Sequence, residues 1–143
     1  MSRGDGHAEM MKHFSEDDLQ SPASEAEISQ SEKELGFGLP KDYREFLLQS
    51  DGYNGYVGDK GYAQLWSVGE LASNNTGYNV GDRVSDLTLI GSNGGPTAYG
   101  IDSYDGRVSF VSIPFVPMER NEIRRLGGTF AEFIASLASG EGW

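Results

Sequence analysis

The order of elements along these 143 residues predicts an α+β fold: a central, mainly antiparallel sheet with two N-terminal helices and one C-terminal helix packed against it. Three observations carry that prediction. Apolar residues recur at helical spacing before residue 50 and again after residue 129. Between those stretches the apolar runs shorten to strand length. The runs are punctuated by Gly, Asn and Asp turns, so strand and helix do not alternate as they would in a parallel α/β sheet.

The length suits one domain, expected over residues 21–143 and preceded by a flexible extension over 1–20. The extension is polar, with Met10, Met11, Phe14 and Leu19 as its large apolar side chains. A short helix around Glu9–Phe14 is marginal in isolation, and Phe14 is the residue placed to dock it. The first domain helix has two candidate starts. Ser21-Pro22 would place Pro in the first turn, where its missing N–H costs little. Ser24 with Glu27 would form a capping box. Ile28 and Leu35 lie two turns apart on one face, and Gly36 is suited to end the helix in the left-handed conformation. A second helix begins at Pro40, with Asp42 suiting the positive end of its dipole. Tyr43, Phe46, Leu47 and Ser50 fall on one stripe of it, and Asp51-Gly52 stops it.

From there the period changes. Asp51–Gly55 reads as a Gly-rich loop and Tyr62–Trp66 as a strand, followed by a single helical turn over Val68–Ala72. Residues 73–86 read as a polar loop, Leu87–Ile90 as a buried strand, and Ser92–Gly95 as a turn. Thr97–Ile101 and Arg107–Ile113 form a hairpin through Asp102–Gly106, whose Asp-Gly supplies positive φ angles. Pro114 and Pro117 break the next stretch. Thr129 caps a last helix in which Phe130, Phe133, Ile134 and Leu137 make one stripe.

Composition then narrows the function. The net charge is −11, and residues 21–143 hold nine basic against seventeen acidic residues, so the acidity belongs to the domain. Such a surface argues against nucleic acid and anionic membranes as partners, because their phosphates need Lys and Arg. It favours attraction of a basic protein. Cysteine is absent, which removes disulfides, thiol nucleophiles and thiolate metal sites. No apolar run nears the roughly 18 residues of a membrane span. Met1–Gly6 lack the apolar core of a signal peptide, and the expected compartment is the cytoplasm.

The chemistry of catalysis is hard to assemble here. His7 and His13 are the only histidines, both in the extension and expected to face solvent. The domain therefore has no histidine to serve as the base of a Ser-His-Asp triad, nor a cluster to hold zinc. Asp102 with Asp105, and Asp82 with Asp86, are better explained by turn geometry than by acid–base or cation chemistry. Gly91–Gly95 leads into Pro96 and a strand instead of a helix, so it reads as a turn and not a phosphate cradle. Catalytic residues, metals and cofactors are all expected to be none.

Binding chemistry is easier to place. On a strand, residues 62, 64 and 66 share one face. With Leu65 in the core, Tyr62 and Trp66 become a binding anchor; with the face reversed they become core, and the large apolar area of Trp66 favours that second reading for it. Tyr53 and Tyr56 lie in the Gly-rich loop, with Asp51, Asp59 and Glu70 close in sequence. The expected partner-binding set is therefore Asp51, Tyr53, Tyr56, Asp59, Tyr62, Trp66 and Glu70.

Leu35-Gly36-Phe37-Gly38-Leu39-Pro40-Lys41-Asp42-Tyr43-Arg44-Glu45-Phe46-Leu47-Leu48, followed by the small loop Asp51–Gly55, resembles the SMI1/KNR4 family of the SUKH group. The resemblance continues through Tyr62–Trp66 with Ser67–Leu71, through Asn75–Val80, through Ile90–Gly95 and through Ala98–Asp102, roughly residues 25–137 in all. It implies an α+β fold with a largely antiparallel sheet. It also implies a non-catalytic domain that, as an immunity protein, binds and neutralises a cognate toxin, a nuclease among the candidates. Such a partner would be a basic protein domain. The alternative is a regulatory or scaffolding interaction protein, as in the fungal branch. The expected state is a monomer or weak dimer. Pro96-Thr97 departs from the family pattern, and Pro96 puts the strand that starts there either at a sheet edge or after a bend.

Overall fold

Residues 8–141 are described by the computed structural model of the chain. Ser24 is the true start of the first domain helix, α1 (Glu25–Leu35). Its hydroxyl accepts from the Glu27 N–H at 3.1 Å while the Glu27 carboxylate accepts from the Ser24 N–H at 2.9 Å. Pro22 lies outside the helix, on the surface. Gly36 ends α1 at φ 68°, as its lack of a Cβ allows. The second helix, α2 (Lys41–Leu47), follows Pro40 and buries Tyr43, Phe46 and Leu47.

The Gly-rich loop expected after α2 is instead a strand, β1 (Tyr53–Val57), which alternates buried and exposed residues. It pairs antiparallel with β2 (Gly61–Leu65), Tyr53 opposite Leu65 and Val57 opposite Gly61. A 3-10 turn over Val68–Glu70 leads into α3 (Leu71–Gly77) and the one-turn α4 (Val80–Arg83), where a polar loop was expected. Then come β3 (Leu87–Ser92), β4 (Thr97–Asp102), β5 (Ser109–Pro114) and β6 (Arg124–Gly127). The β4–β5 hairpin turns through Asp105 at φ 60° and Gly106 at φ 73°. Helix α5 (Phe130–Ala138) closes the chain's regular structure, with the Thr129 hydroxyl accepting from the Glu132 N–H.

The six strands form one sheet in sequence order, every neighbouring pair antiparallel. Strand β4 is therefore central, so Pro96 marks a bend and not an edge. The Asn93 side chain builds that bend by accepting from the Gly95 and Thr97 N–H groups. Strand β6 is an addition to the sequence reading, which ended the sheet at Pro114.

One face of the sheet carries the main core, under α1, α2 and α5. Phe130 sits between Tyr43 and Phe46, with ring centroids 5.2 and 5.0 Å away. Phe110 and Phe133 stack at 5.5 Å, and Tyr99 meets Phe133 edge-on. Residues 8–20, expected as a flexible extension, join this core. Met10 and Phe14 are buried, and Phe14 lies 4.9 Å from Phe46 and 4.7 Å from Tyr53. Isolated bridges from Phe14 to Val57 and from Leu19 to Tyr53 cover the outer edge of β1. The Ser15 N–H also donates to the Tyr53 hydroxyl at 2.9 Å.

Candidate functional site

The opposite face of the sheet is covered over only part of its width. Register places Asn54, Gln64, Ser92, Ala98 and Ile113 in one row across β1 to β5, all pointing to this side. Ala98 and Ile113 are fully buried, Gln64 is half-buried and Asn54 is exposed. The cover over β3–β5 is a second apolar cluster that includes Val80, Val84 and Met118, with Trp66, Phe115 and Ile123 packed against it. It ends before β2, so the β1–β2 part of the face is open at Asn54 and Tyr56, while Gly94 of the β3–β4 turn lies against Tyr62 and Gln64 and leaves them half-open.

Arg120 holds the segment that supplies part of this cover. Its guanidinium donates to both oxygens of Asp102 at 3.0 and 3.1 Å and to the Ser85 carbonyl at 2.6 Å, while lying 4.4 Å over the Tyr104 ring. The hydrogen bonds that Arg120 donates to Asp102 raise the Arg120 pKa. Asp102 also accepts from the Tyr104 N–H. Asp86 accepts from Ser103 through its carbonyl and sits at φ 67°. The Asp102 carboxylate and the Asp86 backbone thus serve the turns. Among the described residues no three metal-ligating side chains converge. His13 is half-buried, and its carbonyl accepts from the Gly58 N–H at 2.8 Å. His7 lies outside the described residues.

Three of the sequence-predicted binding residues come together on the open half. Tyr56 is 67% exposed and meets Tyr62 edge-on at 5.5 Å across the β1–β2 pair. Because Leu65 is buried, Tyr62 and Trp66 share the other side of β2, both half-buried, with Gln64 between them. Trp66 is thus not a plain core residue: it packs against both apolar clusters while keeping part of its surface in solvent. Two aromatics that the sequence reading did not select extend the set. Tyr78 stacks parallel to Trp66 at 6.3 Å and lies 4.9 Å from Phe115, next to Val116, which is 88% exposed. The signal for them was a lone aromatic in a polar stretch and an apolar pair between Pro114 and Pro117.

The remaining expected residues separate. Tyr53 points to the main core, fully buried, and its hydroxyl donates to the Tyr56 carbonyl at 2.6 Å. Burial raises its pKa, the Ser15 N–H opposes that, and the Asp18 charge adds to it. Asp51 accepts from the Val68 N–H at 2.7 Å, anchoring the turn after Trp66. Glu70 accepts from the Ser67 hydroxyl at 2.9 Å in the same turn. Asp59 lies at the far end, exposed in the β1–β2 connection beside Lys60. The result is an uncharged aromatic stretch with carboxylates at its ends. It offers ring faces and phenol and amide hydrogen bonds, and the strip itself is made of aromatic and amide side chains.

The described residues contain no helix long and apolar enough to cross a membrane. The chain belongs to the SMI1/KNR4 family (SUKH-1), whose model matches residues 22–136. No curated protein matches the chain significantly.

Proposed function

We propose that this SMI1/KNR4-family chain is a non-catalytic protein-binding domain, an immunity protein that binds and neutralises a basic toxin domain in the cytoplasm. The observation that carries the reading is the open, uncharged aromatic half of the sheet on a chain of net charge −11. Interface cores are depleted of charge and enriched in Tyr, Trp and Phe, whereas active sites need an acid, base or nucleophile within reach. Acid excess supports the partner's sign. Residues 8–35 alone hold eight acidic and two basic residues. A toxin that handles nucleic acid must present cations to phosphates, and an acidic inhibitor gains encounter rate against such a surface.

The test is a pull-down from the source cell with elution in rising salt, followed by co-expression with any toxin domain encoded nearby. A basic partner released as salt rises, with protection of the co-expressing cell, is the expected result. A partner held regardless of salt, with no protection, would replace this reading by the scaffolding one. Absence of any bound protein would remove both.

A further inference from the structure

The open half of the sheet is specific enough to assign its occupant. Asn54, Tyr56, Tyr62, Gln64, Trp66 and Tyr78 include no charged residue, in a chain where 23% of residues are charged. The outer edge of β1 is bridged by Phe14 and Leu19, so a partner meets a covered edge there and must lie across the face. The rings are already held by one another, Tyr56 on Tyr62 and Trp66 on Tyr78, which lowers the ordering cost of binding. The two ends differ in charge. At the Trp66 end stands Glu70, through Ser67, whereas the Asp51 carboxylate is turned to the main-core side, on the Val68 N–H; at the other end Asp59 is offset by its neighbour Lys60.

We propose that this half-face seats an extended apolar segment of a partner protein, its apolar side chains over Tyr56 and Tyr62 and an Arg or Lys at the Trp66–Tyr78 end. The cation lies against the ring faces, where the quadrupole attracts it, and faces the Glu70 carboxylate. This assignment rests on the protein-binding reading and adds to it the place and chemistry of the contact. An arginine suits the end best, since its flat guanidinium stacks on an indole and bonds a carboxylate at once.

Trp143→Phe leaves Trp66 as the single tryptophan of the chain, so its indole N–H becomes a unique NMR reporter. Isotope-labelled protein of that variant is titrated with a peptide of alternating Arg and Leu, and separately with one of alternating Glu and Leu. The expected result is movement of the Trp66 indole and of the amides of residues 54–56, 62–66 and 78 with the Arg peptide only. In the double variant Tyr56→Ser, Tyr78→Ser the affinity should fall at least tenfold with the melting temperature retained, because Tyr56 is 67% and Tyr78 45% exposed. Shifts confined to the acidic helix α1, equal response to the Glu peptide, or unchanged affinity in the double variant would overturn the assignment. A cellular partner captured equally by wild type and double variant would overturn the surface while leaving the protein-binding reading intact. Peptide shifts as expected, with no cellular partner, would do the reverse.

Discussion

Asn75 binds both backbone groups of Leu89: its carboxamide oxygen accepts from the Leu89 N–H at 2.7 Å, and its nitrogen donates to the Leu89 carbonyl at 2.9 Å. That two-point contact is what a neighbouring strand would have supplied. Strand β2 pairs with β3 only at Gln64–Ser92 and Leu65–Gly91, so Leu89 faces helix α3 on that side. The same nitrogen donates to the Leu71 carbonyl at 2.8 Å, tying α3 to the sheet. The contact thereby fixes the α3–α4 segment, which carries Tyr78 onto the aromatic strip.

Asn75→Ala should cost about 2–4 kcal/mol, because it strands a donor and an acceptor of a fully buried residue. Asn75→Asp keeps the acceptor and loses both donor bonds, so it should also destabilise. Urea unfolding gives the loss, and faster amide exchange at Leu89 would locate it. Wild-type stability in both variants would contradict the role.

Phe14→Ala should cost about 3–5 kcal/mol, the usual range for deleting a buried aromatic ring. Its ring fills the space between Phe46 and Tyr53, and its backbone bridges Val57. A loose extension would give almost no change, so one thermal melt separates the two views of residues 8–20.

Gly61→Ala should cost about 3 kcal/mol or more, as backbone has to move to admit the methyl group. A Cβ at this position would run into the carbonyl of Leu137 on α5 and into that of Val57 across the hairpin. Gly69→Ala is the control, since its surroundings are open. Equal melting temperatures for the two variants would refute the close approach of β2 to α5.

Alkaline pH should unfold the protein through its buried phenols. Burial pushes the Tyr99 pKa from 10.0 up to about 12, and burial together with the Asp51 charge raises that of Tyr43 as well. In the unfolded chain both phenols lose their protons once pH passes 10.0, while the folded chain still holds them. Their contribution is therefore complete below that pH and falls away as pH climbs toward the folded values. The melting temperature should drop over this window. Tyr43→Phe should soften the drop and, because the Tyr43 hydroxyl is buried without a hydrogen-bond partner, hold or raise stability at neutral pH by up to about 1 kcal/mol. A melting temperature that is flat up to about pH 11 would contradict this.

Much of the fold was legible because the signals were local. The Ser24–Glu27 capping box, the Gly36 stop, the Thr129 cap and the Asp105-Gly106 turn each act within a few residues, and each appears where the spacing put it. The helical stripes of Tyr43–Phe46–Leu47 and Phe130–Phe133–Ile134–Leu137 bury as their periods require. The misreadings have long-range causes. Strand β1 looked like a loop because Gly52, Gly55 and Gly58 depress strand propensity. Yet Ala138 lies over Gly58, leaving no room for a Cβ, and the Asp18 side chain lies close over Gly55. Helices α3 and α4 are rich in Ser, Asn and Gly, poor helix formers that depend on contacts such as Asn75 with Leu89. Strand β6, Arg124–Gly127, is a short edge strand without alternation.

The candidate surface divides in the same way. By itself the sequence determined the α+β class, the family likeness, the acidic charge and the absence of a domain histidine, since these follow from residue identity and local period. Only the tertiary structure decided that Tyr53 turns inward while Tyr56, three residues on, stands out beside Tyr62. The pairing of β1 with β2 fixes that, because successive residues on a paired strand take opposite faces, so positions 53 and 56 must differ. Likewise Tyr78 reaches Trp66 from 12 positions away and Phe115 reaches Tyr78 from 37, meetings that depend on how the chain crosses the sheet and that no local pattern encodes.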